Sequence, residues 1–256
     1  VCTPSGWRAS KQFFVIGDFD RYAGRSQSAD IGLARDATRD GDRFTFIQLT
    51  DTHVTASPDV VQTMIDDLKV VNRVSDPPAF IVTTGDLVNI GQDINQFAGY
   101  VRAIQSARYP IYNVVGNHDY SGGPLRDTQN YERYLGPPYY SFNIGSYHFI
   151  AKDVIGERKN EAFYAHQKKW IDEDLRRNAA GKRVVVFQHY IPTYRELDWW
   201  AEHQGAAIFS GHWHGRRERM YKDILDVNSA TLRFGGIDRN PCACHVLGWN
   251  ENRVDC

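Results

Sequence analysis

No stretch of this chain is apolar enough to span a bilayer. Its longest purely apolar runs are a few residues, against the roughly 18 that a spanning helix needs. Charge of one sign is missing as well. Thirty Lys and Arg stand against 31 Asp and Glu, a formal net charge of −1, and no basic run is long enough to make a nucleic-acid or membrane-surface patch. Electrostatics therefore name no macromolecular partner, and nothing in the pattern fixes an oligomeric state. Internal repeats and low-complexity segments are also absent, which excludes solenoids and arrays.

Cysteine is scarce. Cys2, Cys242, Cys244 and Cys256 lie near the chain ends, away from every cluster described below. An even count at the termini predicts disulfides that staple the tails, and so a periplasmic or secreted protein. The alternative is free thiols in the cytoplasm. A bridge between Cys242 and Cys244 would be strained, and a zinc knuckle built from this pair and His245 lacks a second ligand pair. The chain begins with Val1 rather than Met, which reads as a mature or trimmed product.

What is present is a series of five short polar clusters, each directly behind a hydrophobic, β-branched run. Asp51-Thr52-His53 follows 44–49, Gly85-Asp86 follows 80–82, and Gly116-Asn117-His118-Asp119 follows 111–115. Gln188-His189 follows 184–187, and Gly211-His212-Trp213-His214 follows 206–209. The runs read as buried strands. In an α/β sheet, residues that follow strands gather on one edge of the fold, where ligands bind. Helices are expected over Asp59 to Lys69, Ile94 to Ala107 and Gln167 to Asn178, with Asp174 breaking the apolar face of the last. Tyr139 to Asp153 reads as two strands around an Ile144-Gly145-Ser146 turn. Residues 1–42, rich in Gly, Ser, Asp and Arg, are expected to form an arm packed on one domain of residues 43–256, whose end is β-rich.

Each cluster has a chemical reading. Asp51 and His53 are two apart, so in an extended chain a carboxylate and an imidazole leave one face and can chelate one ion; His212 and His214 repeat the spacing. Asp86 carries two oxygens and can bridge two cations, and Gly85 lets the backbone turn. Asn117, His118 and Asp119 add a neutral oxygen, an imidazole and a carboxylate, and His189 one more imidazole. This set reads as a two-metal site. Imidazole and carboxylate without thiolate suit Fe, Mn, Zn, Co or Ni, and argue against Ca or Mg. His148, His166, His203 and His245 stand outside any cluster and read as structural.

At these residues the chain resembles the calcineurin-like metallophosphoesterases, whose blocks D-x-H, G-D, G-N-H-D/E, a lone His and G-H-x-H are all present in order. The segment 85–91 looks most like the block of the class III cyclic-nucleotide and glycerophosphodiester phosphodiesterases. The resemblance implies a four-layer αββα architecture, a β-sandwich flanked by helices. It implies one metal ion on Asp51, His53, Asp86 and His214, and a second on Asp86, Asn117, His189 and His212. His118 would be the general acid and Asp119 its orienter. Asn89 and Arg233 are candidate substrate contacts read from the chain itself; Arg233 is preferred to Arg195 and Arg216 because it opens the Gly-rich Arg233-Phe234-Gly235-Gly236 segment. A small phosphorylated substrate would be attacked in line by a hydroxide between the metals. Charge favours a diester over a monoester, because two divalent ions with Asp51, Asp86 and a hydroxide leave a single positive charge for the substrate to neutralise; a phosphomonoesterase of the same fold is the alternative. The residue three positions after Asp86 is Asn89 and not the tyrosine of purple acid phosphatases, which disfavours that branch.

Overall fold

The structure is a computed structural model that describes residues 7–9, 33–36, 44–122, 127–232, 245–250 and 253–255. In chain order its first half comprises β1 (Trp7–Ala9), β2 (Leu33–Arg35), β3 (Thr45–Leu49), α1 (Pro58–Val71), β4 (Phe80–Thr84), α2 (Ile94–Ile104), β5 (Ile111–Val114) and α3 (Gln129–Leu135). The second half comprises β6 (Tyr140–Ile144), β7 (Tyr147–Ala151), α4 (Val154–Lys159), α5 (Glu161–Asn178), β8 (Arg183–Phe187), α6 (Tyr194–Glu202), β9 (Gly205–Ser210), β10 (Arg217–Tyr221), β11 (Ile224–Asn228), β12 (His245–Asn250) and β13 (Arg253–Asp255).

Two sheets carry the fold. One has the order β13-β12-β3-β4-β5, the other β10-β11-β9-β8-β7-β6. β3, β4 and β5 are parallel, as are β7, β8, β9 and β11. Alternation along the strands sorts the side chains into layers. Phe46, Phe80 and Val82 point inward against Phe149, Phe187 and Phe209 of the other sheet. Phe46 stacks on Phe80 at 5.0 Å and meets Phe209 edge-on at 5.2 Å. Each such ring contributes about 1.5–3 kcal/mol through burial. The opposite faces take helices: Ile47, Leu49 and Ile81 pack on α1 and α2 through Met64, Leu68 and Phe97. Ile150, Val184, Val186 and Ile208 pack on α5 and α6 through Ile171, Leu197 and Trp200. This is the four-layer αββα arrangement, with each of the five polar clusters at the carboxyl edge of a strand.

All five hydrophobic runs are strands, and the hairpin around Gly145 forms as β6 and β7. α2 stops at Ile104 rather than Ala107, because Ser106 and Ala107 make tighter bonds to the carbonyls of Ala103 and Ile104. α5 begins at Glu161, well before Gln167, where the Asn160 side chain accepts from Phe163 N. Three short helices, α3, α4 and α6, were not expected. Asp174 belongs under His148, whose Nε2 lies 2.9 Å from its carboxylate. Most of residues 1–42 and all four cysteines lie outside the described residues; β1 and β2 pair antiparallel with each other. Among the described residues no helix is long and apolar enough to cross a membrane.

Candidate metal centre

β3 and β4 end, but their chains stay joined. Asp51 N donates to Gly85 O, His53 N to Asp86 O and Val54 N to Leu87 O at 2.9–3.0 Å. Within this ladder the backbone turns left-handed at Asp51 (φ 52°), His53 (φ 41°) and Asp86 (φ 50°), and again at His212 (φ 71°) and His214 (φ 54°). Such residues cost about 1–2 kcal/mol each and persist where the surroundings over-determine them. The spacing argument for Asp51 and His53 assumed an extended chain, and that geometry is absent. Their side chains still converge, because the ladder holds two left-handed turns in series.

Thr50 Oγ1 and His212 N both donate to Asp51 Oδ2, at 2.6 and 2.9 Å. The other oxygen, Asp51 Oδ1, is buried without a hydrogen bond of good geometry and faces His214 Nε2 at 3.2 Å and His53 Nε2 at 3.9 Å. Asp86 Oδ1 accepts from His118 N at 2.8 Å, while Oδ2 stands 3.2 Å from His189 Nε2 and 3.7 Å from His53 Nε2. His189 Nδ1 donates to Thr84 O at 2.9 Å, which turns Nε2 toward Asp86 and toward Asn117 Oδ1 at 3.1 Å. Three interlocked groups result: Asp51, His53 and His214; His53, Asp86 and His118; and Asp86, His189 and His212. Burial holds the His53 imidazole down, to about 4, despite Asp86. Burial works the same way on His189, but the Asp86 and Asp51 charges outweigh it and push that imidazole up to about 9. Burial opposes ionisation of Asp51 and Asp86 too, and the facing histidines nonetheless keep both below the usual carboxylate range.

The glycines of the motifs are placed by contact. A Cβ on Gly85, itself at φ +94°, would stand 2.4 Å from His189 Nδ1, and one on Gly211 would stand 2.6 Å from Asp51 Oδ2.

The Asn117–Asp119 turn separates two neighbours. His118 is exposed, with its ring 4.6 Å from that of His53 and its Nδ1 2.8 Å from Asn89 O. Asp119 points inward and is fully buried: Oδ1 accepts from Leu87 N and Val88 N, and Oδ2 from Gly116 N. Asp119 is therefore a clasp on the loop after β4, and the backbone carbonyl of Asn89, rather than Asp119, holds the His118 ring. Asn89, His118 and Asn117 line an open recess of about 230 Å³ with Tyr120. Arg233 lies outside the described residues.

Several contributors were not foreseen. Gln48, a polar break in an apolar strand, joins the sheets beneath the site: its Nε2 donates to Thr84 Oγ1 and Ser210 O, both at 2.9 Å, and its Oε1 accepts from Ser229 Oγ. Tyr190 lays its ring 4.4 Å from that of His212, and Arg158 sits over Tyr190 at 4.5 Å. No sequence spacing signals that pairing.

Known proteins resemble this chain in sequence and in fold. The family model described as calcineurin-like phosphoesterase matches residues 44–216. The serine/threonine-protein phosphatase CPPED1 of Bos taurus is 26% identical over 199 residues, which cover 64% of this chain and 62% of that protein. The probable glycerophosphodiester phosphodiesterase GpdQ of Arcobacter nitrofigilis is 20% identical over 156 residues, covering 57% and 56%. The chain thus spans less than two thirds of the length of these relatives. Among solved structures, the purple acid phosphatase PPD1 from yellow lupin seeds superposes with a TM-score of 0.57 at 12% identity, over 78% of this chain and 46% of that one. The phosphopantetheinyl hydrolase PptH of Mycobacterium tuberculosis gives 0.52 at 11% identity, over 75% and 91%. At these identities the structures speak for the fold alone. With the family model spanning all five clusters and the strands that carry them, the chain belongs to the calcineurin-like phosphoesterase family.

Proposed function

We propose that the chain is a binuclear-metal phosphoester hydrolase that prefers diesters. The observation that carries this reading is the placement of Asp86, whose Oδ2 lies between His53 Nε2 at 3.7 Å and His189 Nε2 at 3.2 Å. Two donors about 2.0–2.2 Å from one ion stand roughly 3.0–3.5 Å apart at octahedral to tetrahedral angles. The pairs Asp86–His189 and Asp51–His214 fall in that range. Asp51 Oδ1, which has no hydrogen bond of good geometry, is an acceptor that a cation would satisfy. These residues fit two ions, one on Asp51, His53, Asp86 and His214, the other on Asp86, Asn117, His189 and His212. Nitrogen and oxygen donors without thiolate suit Fe, Mn, Zn, Co or Ni. When bound, the ions supply positive charge at the phosphoryl oxygens and the acidity that ionises water at neutral pH.

The chain's own groups do the rest. His118 is exposed to solvent, from which it can be reprotonated, and with Nδ1 on Asn89 O its Nε2 is left to protonate the departing alkoxide. The Thr84 carbonyl fixes His189, and the Asp119 clasp holds the loop that bears Asp86. Charge sets the substrate class. Asp51 and Asp86 cancel two of the four charges of a divalent pair and an attacking hydroxide cancels a third, so a diester monoanion leaves the ensemble neutral, whereas a monoester dianion leaves it negative. CPPED1 is named a serine/threonine-protein phosphatase and GpdQ a probable glycerophosphodiester phosphodiesterase, so a phosphomonoesterase of this fold is the second reading. A methyl aryl diester and the matching aryl monoester, offered to the metal-loaded protein, separate them. Higher kcat/KM for the diester supports the first reading, higher kcat/KM for the monoester overturns the preference, and turnover of neither overturns the hydrolase.

A further inference from the structure

That charge count has a cationic neighbour. α4 carries Arg158 in its last turn, with the guanidinium carbon 4.5 Å above the Tyr190 ring. The same ring lies 4.4 Å from the His212 ring and 5.5 Å from the His189 ring. One aromatic ring therefore separates the arginine from two metal-site histidines. The placement is built. Lys152 N donates to Phe187 O at 3.0 Å, joining the start of the α4 segment to the end of β8, from which His189 and Tyr190 also hang. Asp153 caps α4 by accepting from Ile155 N and Gly156 N, and its second oxygen accepts from the hydroxyl of Tyr120, which lines the recess beside His118. The neighbouring Glu157 is engaged by Lys152 at 2.9 Å. Among the described residues no carboxylate forms an ion pair with Arg158, and its side chain is exposed. Its guanidinium can thus leave the ring for an incoming anion without breaking an ion pair.

We infer that Arg158, poised on Tyr190, is a specificity-determining residue that meets the second negative charge of a phosphomonoester dianion, so that the site turns over monoesters as well as diesters. The inference rests on the two-metal reading above. A planar guanidinium matches two phosphoryl oxygens at once, and an aromatic face holds it at low entropic cost until the anion arrives. A basic residue in the last turn of a helix also complements the helix dipole. That role would affect stability and leave the balance between two esters unchanged.

The test compares wild type, Arg158→Gln and Arg158→Lys, all metal-loaded, on p-nitrophenyl phosphate and methyl p-nitrophenyl phosphate, with inhibition by inorganic phosphate and metal content measured in parallel. Arg158→Gln is expected to lower kcat/KM for the monoester about five- to thirtyfold and to weaken phosphate inhibition by a similar factor. The diester should change less than about threefold, metal content should stay at the wild-type level, and Arg158→Lys should recover part of the loss. An unchanged ratio of monoester to diester activity, whether both fall or neither does, overturns the inference. If wild type cleaves neither ester, the two-metal reading fails instead. Phosphate binding to the loaded proteins by calorimetry then still decides on Arg158, with equal affinity in wild type and Arg158→Gln counting against it.

Discussion

Replacing Gly85 by alanine strikes the proposed metal centre without replacing a ligand. The new Cβ would lie 2.4 Å from His189 Nδ1 and 2.7 Å from Cγ, where carbon contacts ordinarily run about 3.5–4.0 Å. The imidazole must retreat by about 1 Å, which takes Nδ1 off Thr84 O, now at 2.9 Å, and Nε2 away from Asp86 Oδ2. Metal–ligand bonds tolerate only about 0.2 Å, and loss of the group that orients a ligand costs about 10- to 100-fold in affinity. The weaker of the two ions should therefore bind at least about tenfold less tightly. The backbone adds its own effect: φ at 85 is +94°, and a side chain there costs about 1–2 kcal/mol, or a melting temperature lower by about 2–8 °C. Gly181 supplies the control, since its φ is +71° but a Cβ there meets nothing within 4 Å. Gly181→Ala should lose stability and keep metal affinity. Chelator competition for both ions, beside thermal scans, makes the comparison. Two ions bound by Gly85→Ala as tightly as by wild type would refute the placement of His189 as a ligand.

The shared carboxylate gives a second expectation: Asp86→Ala should empty both metal positions and His189→Ala mainly one, as counted by elemental analysis, and near-full occupancy in Asp86→Ala would remove the bridge. His118→Asn should keep its metals and lose about 10²–10⁴ in rate, most severely with poor alkoxide leaving groups. Undiminished turnover of an alkyl diester would exclude His118 as the acid. Asp174→Ala should destabilise the fold by about 1–3 kcal/mol, because His148 Nε2 is left buried without its acceptor while Nδ1 keeps Asn143. Burial alone would raise the Asp174 carboxyl, but bonds from His148 and Asn178 hold it below its ordinary value. Its contribution is then complete above the unfolded carboxylate pKa and lost as pH falls through the folded one. The stability gap between wild type and Asp174→Ala should close in acid, and a gap that widens in acid would contradict the assignment.

The strands and most of the centre were legible because one physical rule governs both. A sandwich between two helical layers needs unbroken apolar runs, and the residues just beyond such runs share an edge. Asp51, His53, Asp86, Asn117, His189, His212 and His214 stand out for that reason. What escaped was either short or non-local. α3, α4 and α6 have no long amphipathic period, although Thr193 and Glu196 form a capping box that announces α6. The resemblance implies Asp119 as the orienter of His118, but consecutive residues of this tight turn face different ways, one to solvent and one to the core. Arg158 meets Tyr190 only through the packing of α4 on the end of β8. Asp174, read as a flaw in an apolar face, is the partner of a histidine that sequence alone could only set aside as structural.

The central claim is that two ions on one carboxylate carry out phosphoester hydrolysis, and stepwise reconstitution tests it most directly. Metal-stripped protein is titrated with manganese or zinc while bound metal and turnover of methyl p-nitrophenyl phosphate are followed together. The account predicts little turnover without metal, a rise that completes with the second equivalent, and no rise in Asp86→Ala. Full activity in the stripped protein, or saturation at a single equivalent, would contradict it.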